Sequence, residues 1–156
     1  MRRKKKMGCL RGITIFIAII IAIIFLISKI GQYKVYRDKV KIKDLVTKNL
    51  EFLNECIENE NYDKILELEG VENKHYWKND PDGIVIEYFY KGYGIAPAGL
   101  YTGFYYTGVG KPIGFQGIGY KLAKAKNGWV WKETHGDNIY YTEKIRDNWY
   151  YYKAGF

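Results

Sequence analysis

The stretch GITIFIAIIIAIIFLIS, residues 12–28, contains seventeen residues without a charge and lies between Arg11 and Lys29. A helix of this length spans about 25 Å, the short end of what crosses a hydrocarbon core of roughly 30 Å. Arg11 and Lys29 extend that reach because their charged groups sit on long, flexible stems that bend toward the membrane interfaces. We therefore predict a transmembrane helix over residues 12–28, with the rest of the chain held at a membrane surface.

A cleaved signal peptide is the main alternative, since a strongly basic segment, residues 1–11, precedes the apolar stretch. Signal peptides end in small residues at the cleavage site. Residues 26–31 read LISKIG and contain no such pair of small residues. The pattern therefore favours an uncleaved signal-anchor.

The basic residues beside the apolar stretch bear on its orientation. Six precede it and six follow it within fifteen residues, so their number alone decides nothing. The N-terminal group is denser and contains no acidic residue, and long C-terminal domains cross membranes largely regardless of charge. We expect a single-pass protein of the cell membrane, with its N-terminus in the cytoplasm and its C-terminal domain outside. The predicted membrane-flanking residues are Arg2, Arg3, Lys4, Lys5, Lys6, Arg11 and Lys29.

The formal net charge of +8 belongs to the N-terminal part of the chain. Residues 1–36 contain eight basic and no acidic residues, whereas residues 37–156 contain seventeen of each. The excess charge is suited to anionic lipid, so we predict membrane lipid and not nucleic acid as a partner. Within the domain, residues 49–87 carry a local charge of −8 and residues 88–132 one of +6. Either an acidic helical layer packs against a basic sheet, or the sheet binds an anionic cell-wall polymer.

The helical part of the chain continues beyond the apolar stretch. Apolar residues recur at spacings of three and four between residues 38 and 58, which is typical of an amphipathic helix. No proline interrupts residues 29–58, so the anchor helix is free to continue into this one. Asn61 is a candidate N-cap for a short helix over residues 62–68, and Gly70 is a candidate left-handed stop.

After Gly70 the pattern becomes that of strands and turns. A turn is predicted over residues 79–83, NDPDG, and a two-residue type I′ hairpin turn at Asn127-Gly128. The candidate strands are residues 84–91, 101–107, 115–125, 129–132, 139–145 and 149–153. They alternate with turn residues closely enough to form an antiparallel meander of about six strands.

This order of elements predicts an α+β protein with four parts. Residues 1–11 form a cytoplasmic basic flank, residues 12–28 the transmembrane signal-anchor, residues 29–70 a juxtamembrane and helical segment, and residues 71–156 an aromatic-rich β domain. We expect the helical pair to pack on one curved sheet, by analogy with the cystatin and nuclear-transport-factor (NTF2-like) folds. The analogy implies no activity.

Residues that commonly carry catalysis are sparse in the chain. His75 and His135 stand in no metal-binding motif, and no nucleophile motif is present. Cys56 falls beside the apolar stripe of the helix and is predicted to be a buried, unpaired thiol. We therefore predict no catalytic residue, no metal and no cofactor. An enzyme would require the two histidines to converge with Glu87 and Asp137 in one pocket.

Aromatic residues make up 17% of the chain, and most of them occur in runs within the predicted strands. Consecutive residues of a strand point to opposite faces, so each run places one ring in the core and another outside or at a second interface. Exposed Tyr and Trp rings form stacking platforms for sugars or cages for quaternary ammonium groups. The candidates for such a ligand platform are Tyr88, Tyr105, Trp129, Trp149 and Tyr151.

Two segments near the C-terminus carry a local resemblance to a known family. KNGWVWK, residues 126–132, and DNWYYYKAGF, residues 147–156, resemble the Gly-Trp and Trp-Tyr-Tyr halves of choline-binding cell-wall repeats. The resemblance implies that Trp129, Trp149 and Tyr151 are candidates for an aromatic cage that holds choline.

A broader resemblance covers residues 84–156. The segments GIAP at residues 94–97, GFYY at residues 103–106 and TEKI at residues 142–145 carry it. This part of the chain is similar to uncharacterised small membrane-anchored proteins of Gram-positive bacteria, a resemblance that implies no activity.

These observations predict a single-pass membrane protein with an extracytoplasmic, non-catalytic binding or structural domain at the cell envelope. Two alternatives stay open. One is a membrane-tethered enzyme that acts on envelope polymers. The other is an accessory subunit whose anchor packs against another membrane protein.

Overall fold

The computed structural model describes residues 2–79, 83–95 and 98–156, without the side chains of residues 2–12, 78–79, 95 and 98. The turn predicted over residues 79–83 falls largely outside the described residues. The same holds for the side chains of the predicted membrane-flanking residues Arg2, Arg3, Lys4, Lys5, Lys6 and Arg11. The chain divides into two compact units, one that ends at Arg37 and one that spans Asp38–Phe156.

The first helix, α1, spans Arg2–Lys48. Its segment Ile13–Lys48 is long and apolar enough to cross a membrane, with a mean hydropathy of 2.9 in its most apolar window, and it is the only such helix in the described part of the chain. The large apolar side chains between Ile13 and Ile30 are 40–64% exposed. The helix continues well past the apolar stretch, as the absence of proline indicated.

The second helix, α2, spans Leu50–Glu58, so the helix predicted over residues 38–58 is broken at Asn49. The side-chain amide of Asn49 donates to the carbonyl of Leu45 over 2.8 Å, and the backbone N–H of Asn49 donates to the same oxygen over 3.1 Å. The break lies in the backbone geometry of Asn49, which has a φ of −108° and a ψ of 21°, while the backbone bonds to Leu45 and from Leu53 are kept.

The short helix predicted over residues 62–68 is a 3₁₀ helix, Tyr62–Glu67. Asn61 occupies the predicted N-cap position, but its side chain forms no capping hydrogen bond. Gly70 is left-handed, as predicted, with a φ of +85°, and a Cβ there would lie 2.6 Å from the ring of Tyr90. The helix itself ends earlier, at an extended Leu68.

In the part of the chain that the structure describes, seven strands form one open antiparallel sheet. They are β1 (Asn73–Asn79), β2 (Gly83–Ile95), β3 (Ala98–Thr107), β4 (Ala123–Ala125), β5 (Gly128–Lys132), β6 (Ile139–Arg146) and β7 (Trp149–Gly155). Their spatial order is β1-β2-β3-β7-β6-β5-β4. The single predicted meander is therefore wrong, because two meanders, β1–β3 and β4–β7, meet along the β3–β7 pair. The α+β class is confirmed, and the analogy with cystatin and NTF2-like folds stays a prediction.

The strand predicted over residues 115–125 is mostly absent from the described fold. Only Ala123–Ala125 pairs with a neighbour, and Phe115–Gly117 forms a 3₁₀ turn in which Gln116 has a φ of 54°. Positive φ is incompatible with an extended strand. Residues 108–122, here named the crossing connection, lead from β3 near the middle of the sheet to β4 at its edge.

The β4–β5 hairpin is confirmed, but its turn is Lys126-Asn127, because Ala125 pairs with Gly128. Neither turn residue is among the positive-φ residues of the described ranges, so the type I′ assignment is wrong. Gly128 is needed within β5 for another reason. A Cβ there would lie 2.2 Å from the carbonyl oxygen of Thr142.

The strands alternate between two buried cores, as the aromatic runs predicted. In β7, Trp149 and Tyr151 belong to one core, whereas Tyr150 and Tyr152 belong to the other. The helix-side core, shared with α1, α2 and the 3₁₀ helix, contains Ile42, Val46, Leu53, Cys56, Ile65, Val71, Ile86, Tyr88, Phe104, Trp149 and Tyr151. The second-face core contains Val85, Tyr105, Ile113, Tyr140, Tyr150, Tyr152 and Ala154.

Candidate ligand-binding site

The second face of the sheet contains a cavity of about 500 Å³. Its walls come from β1, β2, β3 and β7, from the crossing connection and from the C-terminal residue. The lining residues are Asn73, His75, Glu87, Phe89, Tyr101, Phe115, Gln116, Ile118, Tyr120, Tyr152 and Phe156. We name it the Glu87 cavity.

Tyrosine hydroxyls on the sheet hold the crossing connection in place. The hydroxyl of Tyr105 accepts a hydrogen bond from the N–H of Ile113 over 3.0 Å, and the hydroxyl of Tyr140 donates to the carbonyl of Ile113 over 3.0 Å. The hydroxyl of Tyr150 donates to the carbonyl of Gly110 over 2.6 Å. Buried backbone groups in irregular structure need such partners, which explains why these positions are Tyr and not Phe.

Glu87 is the carboxyl group of the cavity, and only 3% of the residue is exposed. Burial raises its pKa to about 7, although hydrogen bonds from the Gln116 N–H and from Tyr152 act in the opposite direction. The Gln116 N–H lies 3.2 Å from Oε2 of Glu87. His75 is the residue opposite Glu87 in the β1–β2 register, and both line the cavity.

Gln116 reaches Glu87 through an uncommon backbone conformation. Its φ of 54° is in the left-handed region, which non-glycine residues seldom occupy. The conformation directs the Gln116 N–H at the buried carboxylate. Strained residues of this kind persist where the surrounding structure fixes them, and they cluster at ligand sites.

Aromatic rings make up most of the remaining wall. The ring of Phe115 lies 4.9 Å from that of Phe156 and 5.6 Å from that of Tyr152, measured between centroids. Tyr120 is held by a stacking contact with Trp131, at 4.0 Å and an interplanar angle of 11°. The cavity therefore combines a largely apolar, aromatic lining with one buried carboxyl group, as small-molecule sites commonly do.

The five residues proposed as a ligand platform do not form one open surface. Tyr88, Trp149 and Tyr151 lie in the helix-side core and are at most 1% exposed, and Tyr105 lies in the second-face core. Trp129 is half-buried, and the ammonium of Lys124 lies 4.1 Å from its ring centroid. Stacking on a sugar or a free quaternary ammonium group needs an exposed ring face. The four candidates other than Trp129 are buried and lack such a face.

The four groups that an enzyme would need are only partly together. His75 and Glu87 line the Glu87 cavity, Asp137 lines a separate depression near Tyr93, and His135 lines neither. In the described ranges, no three His, Cys, Asp or Glu residues form a group that could hold a metal ion. Cys56 is buried and unpaired, as predicted, and burial raises the pKa of its thiol.

On the opposite face, a set of charged contacts joins the end of α1 to the sheet. Lys39 and Lys43 both form ion pairs with Glu143 of β6, the second over 2.7 Å, and the hydroxyl of Tyr141 donates to the same carboxylate over 2.6 Å. Burial alone would raise the pKa of Glu143, but these hydrogen bonds outweigh it and hold the pKa at about 2. Of the predicted membrane-flanking residues, Lys29 has a described side chain, whose ammonium lies 5.2 Å from the ring centroid of Phe25.

Sequence reasoning placed Glu87 only in the enzyme alternative and gave no role to Gln116 or Tyr152. The sequence feature that indicates a buried carboxyl group is IVIEYFY, residues 84–90, where one acidic residue interrupts an apolar strand. In a sheet covered on both faces, such a residue is buried. Comparison with known proteins adds nothing further to the assignment, because no protein-family model, curated protein or solved structure matches the chain significantly.

Proposed function

We propose that the chain is a single-pass membrane protein whose domain, residues 38–156, is a non-catalytic binding module of the cell envelope. We further propose that the Glu87 cavity receives a small organic ligand. The observation that carries this proposal is the cavity itself, a space of about 500 Å³ with an aromatic lining and a buried carboxyl group. Its volume lies within the range of roughly 300–1,000 Å³ typical of ligand pockets.

The chemistry of the lining supports binding over catalysis. Among the described residues that line the cavity, Glu87 is the one with a carboxyl side chain, and none is a Ser, Thr, Cys or Lys nucleophile. Hydrolysis of sugar polymers commonly uses two carboxyl groups, one on each side of the scissile bond. A single carboxyl group with aromatic walls is better suited to holding a ligand than to transforming it.

The membrane part of the proposal is tested by cysteine labelling in cells. With Cys9 and Cys56 replaced by Ser, a Lys126→Cys variant places one thiol in the exposed β4–β5 turn, and Lys4→Cys places one in the basic flank. We expect a membrane-impermeant maleimide to label position 126 in intact cells and position 4 only after permeabilisation. The reverse pattern would contradict the proposed orientation.

The binding part is tested on the full chain in lipid nanodiscs with 2-phenylethanol as the probe. Asn73 is exposed at the edge of the cavity, so Asn73→Trp should fill its entrance without disturbing either core. Asn127→Trp adds the same ring to the exposed β4–β5 turn and serves as the matched control. We expect saturation-transfer NMR to show probe contact with the wild type and with Asn127→Trp, and loss of contact in Asn73→Trp. Equal signals from all three proteins would contradict a ligand site in the cavity.

A further inference from the structure

Two features of the Glu87 cavity both attract positive charge. The first is its aromatic wall, which consists of Phe89, Tyr101, Phe115, Tyr120, Tyr152 and Phe156. The faces of such rings carry partial negative charge and attract cations, more strongly where water is excluded. The second is the carboxylate of Glu87. No Lys or Arg is found among the described lining residues, so the cavity supplies negative charge without positive charge.

The carboxylate of Glu87 is oriented but not neutralised. The Gln116 N–H and Tyr152 donate hydrogen bonds to it, and a carboxylate has about four acceptor positions, so acceptor capacity is left for a ligand. None of the ion pairs found in the described part of the chain involves Glu87. A buried carboxylate without a counterion is costly, and a cation placed beside it removes that cost.

On the basis of the proposed function, we infer that the ligand of the Glu87 cavity is an organic ammonium ion. Its N–H groups donate to the carboxylate of Glu87, and its apolar part packs against the aromatic walls. An anionic ligand would be repelled by both Glu87 and the ring faces. A neutral ligand would leave the buried charge uncompensated, so the cavity selects by charge as well as by size.

Binding of such a cation is linked to the protonation of Glu87. Because burial raises the pKa of Glu87 to about 7, the group is largely neutral at pH 5.5 and largely ionised at pH 8. The titratable groups that face it are His75 from β1, Tyr105 from β3, Tyr140 from β6 and Tyr152 from β7, and the crossing connection contributes the uncharged Gln116 N–H. A single proton-linked site predicts affinity about thirtyfold weaker at pH 5.5 than at pH 8.

The test uses three one-ring probes of similar length and different charge: 2-phenylethylammonium, 2-phenylethanol and 3-phenylpropanoate. Calorimetry is performed on the full chain in nanodiscs of zwitterionic phosphatidylcholine, at pH 5.5 and pH 8. At pH 8 we expect the ammonium probe to bind at least tenfold more tightly than the alcohol, and the anion to bind least.

Variants assign this preference to Glu87. Glu87→Gln should bring the ammonium probe to within about twofold of the alcohol and remove the pH dependence, since the charge that attracts the cation is gone. Glu51→Gln, which removes an exposed acid from α2, should change neither. His75→Gln should keep the pH dependence, because the titrating group is then still present. If Glu87→Gln does not fold, the charge series and the pH series on the wild-type chain decide the question.

The possible failures are distinguishable. Equal affinity for the ammonium and the alcohol, with both blocked by Asn73→Trp, would overturn the ammonium assignment and leave the proposed binding function standing. A preference for the anion, or a pH dependence lost only in His75→Gln, would also overturn the assignment. Absence of binding by all three probes would remove both the assignment and the proposed cavity function.

Discussion

On the helix-side face of the sheet, aromatic rings pack against one another and against helices, whereas on the second face tyrosine hydroxyls hold a length of irregular backbone. Tyr88, Phe104 and Trp149 lie within 5.1–6.3 Å of one another, centroid to centroid, in the helix-side core. On the second face, the hydroxyl of Tyr105 accepts a hydrogen bond from the backbone of the crossing connection, and the hydroxyl of Tyr140 donates one to it. The same strands supply both sets of residues.

The difference follows from what covers each face. Helices satisfy most of their own backbone hydrogen bonds, so a sheet covered by helices meets few unpaired backbone groups and packs mainly through side chains of complementary shape. The hydroxyl of Tyr88 donates to one such group, the carbonyl of Tyr62, over 3.2 Å. An irregular connection brings N–H and C=O groups that need partners, so the sheet beneath it carries hydroxyls.

The largest expected effect is the loss of a ring from the helix-side core. Trp149 is fully buried against Tyr88, Phe104 and Tyr106, and its Nε1–H donates to Asn54 over 2.9 Å. Trp149→Ala should lower the free energy of unfolding by about 3–5 kcal/mol, because it leaves a cavity and removes the donor from the side-chain carbonyl of Asn54. Urea unfolding of the full chain in mild detergent measures this.

The half-buried Trp129, on the second face, provides the matched comparison for that measurement. Trp129→Ala should cost about 1 kcal/mol, since much of its ring surface is already in contact with water or with Lys124. Equal losses in the two variants would show that the two faces do not differ in packing as described.

The second effect concerns Glu87 and depends on pH. Its folded pKa, about 7, is above the ordinary value of 4.5, so the folded state binds this proton more tightly than the unfolded state does. The stabilising contribution is therefore full below pH 4.5 and is lost as the pH rises through 7. Relative to Glu87→Gln, the wild type should lose up to about 3 kcal/mol between pH 4.5 and pH 8.

Unfolding titrations of both proteins at several pH values measure this difference, with Glu51→Gln as the control that should follow the wild type. A constant difference between wild type and Glu87→Gln over this range would show that the carboxyl group is not desolvated. Because the titration is in the free protein, this result is independent of any ligand.

The third effect compares the cost of removing a tyrosine hydroxyl from each face of the sheet. Tyr105→Phe removes a hydroxyl that accepts from the Ile113 N–H and bonds to Thr142 over 2.9 Å, so it should cost about 2 kcal/mol and speed hydrogen exchange at Ile113. Tyr106→Phe is the matched control on the helix side, where the hydroxyl accepts only a 3.5 Å bond from Asn148. That variant should cost a few tenths of a kcal/mol at most. Unchanged exchange at Ile113 in Tyr105→Phe would contradict the role assigned to the hydroxyl.

Several features of this comparison are predictable from the sequence. Strand alternation correctly assigned neighbouring rings of β7 to opposite faces, and the change of pattern after Gly70 separated the helical and sheet parts. The apolar spacing located the helices, although the non-helical backbone of Asn49 divides the predicted helix into α1 and α2. These features depend on interactions between residues close in the chain, which a sequence displays directly.

Other features depend on distant contacts and were missed. β1 reads NKHYWKN, and its mainly polar composition hides an edge strand that is fixed by pairing with β2. Residues 115–122 were predicted to be part of a strand, but the carboxylate of Glu87 accepts a hydrogen bond from the N–H of Gln116 and holds it in an irregular conformation. Tyrosine hydroxyls of the sheet hold Gly110 and Ile113, which precede this segment. Similarly, a run of aromatic residues does not reveal which rings will be covered, so the platform candidates were selected without knowledge of their burial. The partners of Glu87 come from segments about thirty and sixty-five residues further along the chain.

The smallest expected effect concerns the ion pairs that join α1 to the helix-side face. Because the folded pKa of Glu143, about 2, is below the ordinary 4.5, its contribution is full above pH 4.5 and lost as the pH falls through 2. The pair with Lys43 is partly exposed to solvent, so Glu143→Gln should cost only about 1 kcal/mol at pH 7 and close to nothing at pH 2.

The exposed Asp44–Lys48 pair on the same helix is the control for this effect, since its side chains are 56% and 71% exposed. Asp44→Asn should leave the free energy of unfolding nearly unchanged at pH 7, because exposed pairs at this spacing contribute a few tenths of a kcal/mol at most. If Glu143→Gln matched Asp44→Asn, the ion pairs of Glu143 would add nothing to the attachment of α1 to the sheet. If Glu143→Gln still lowered the free energy of unfolding at pH 2, the cause would be altered packing and not the loss of a charge.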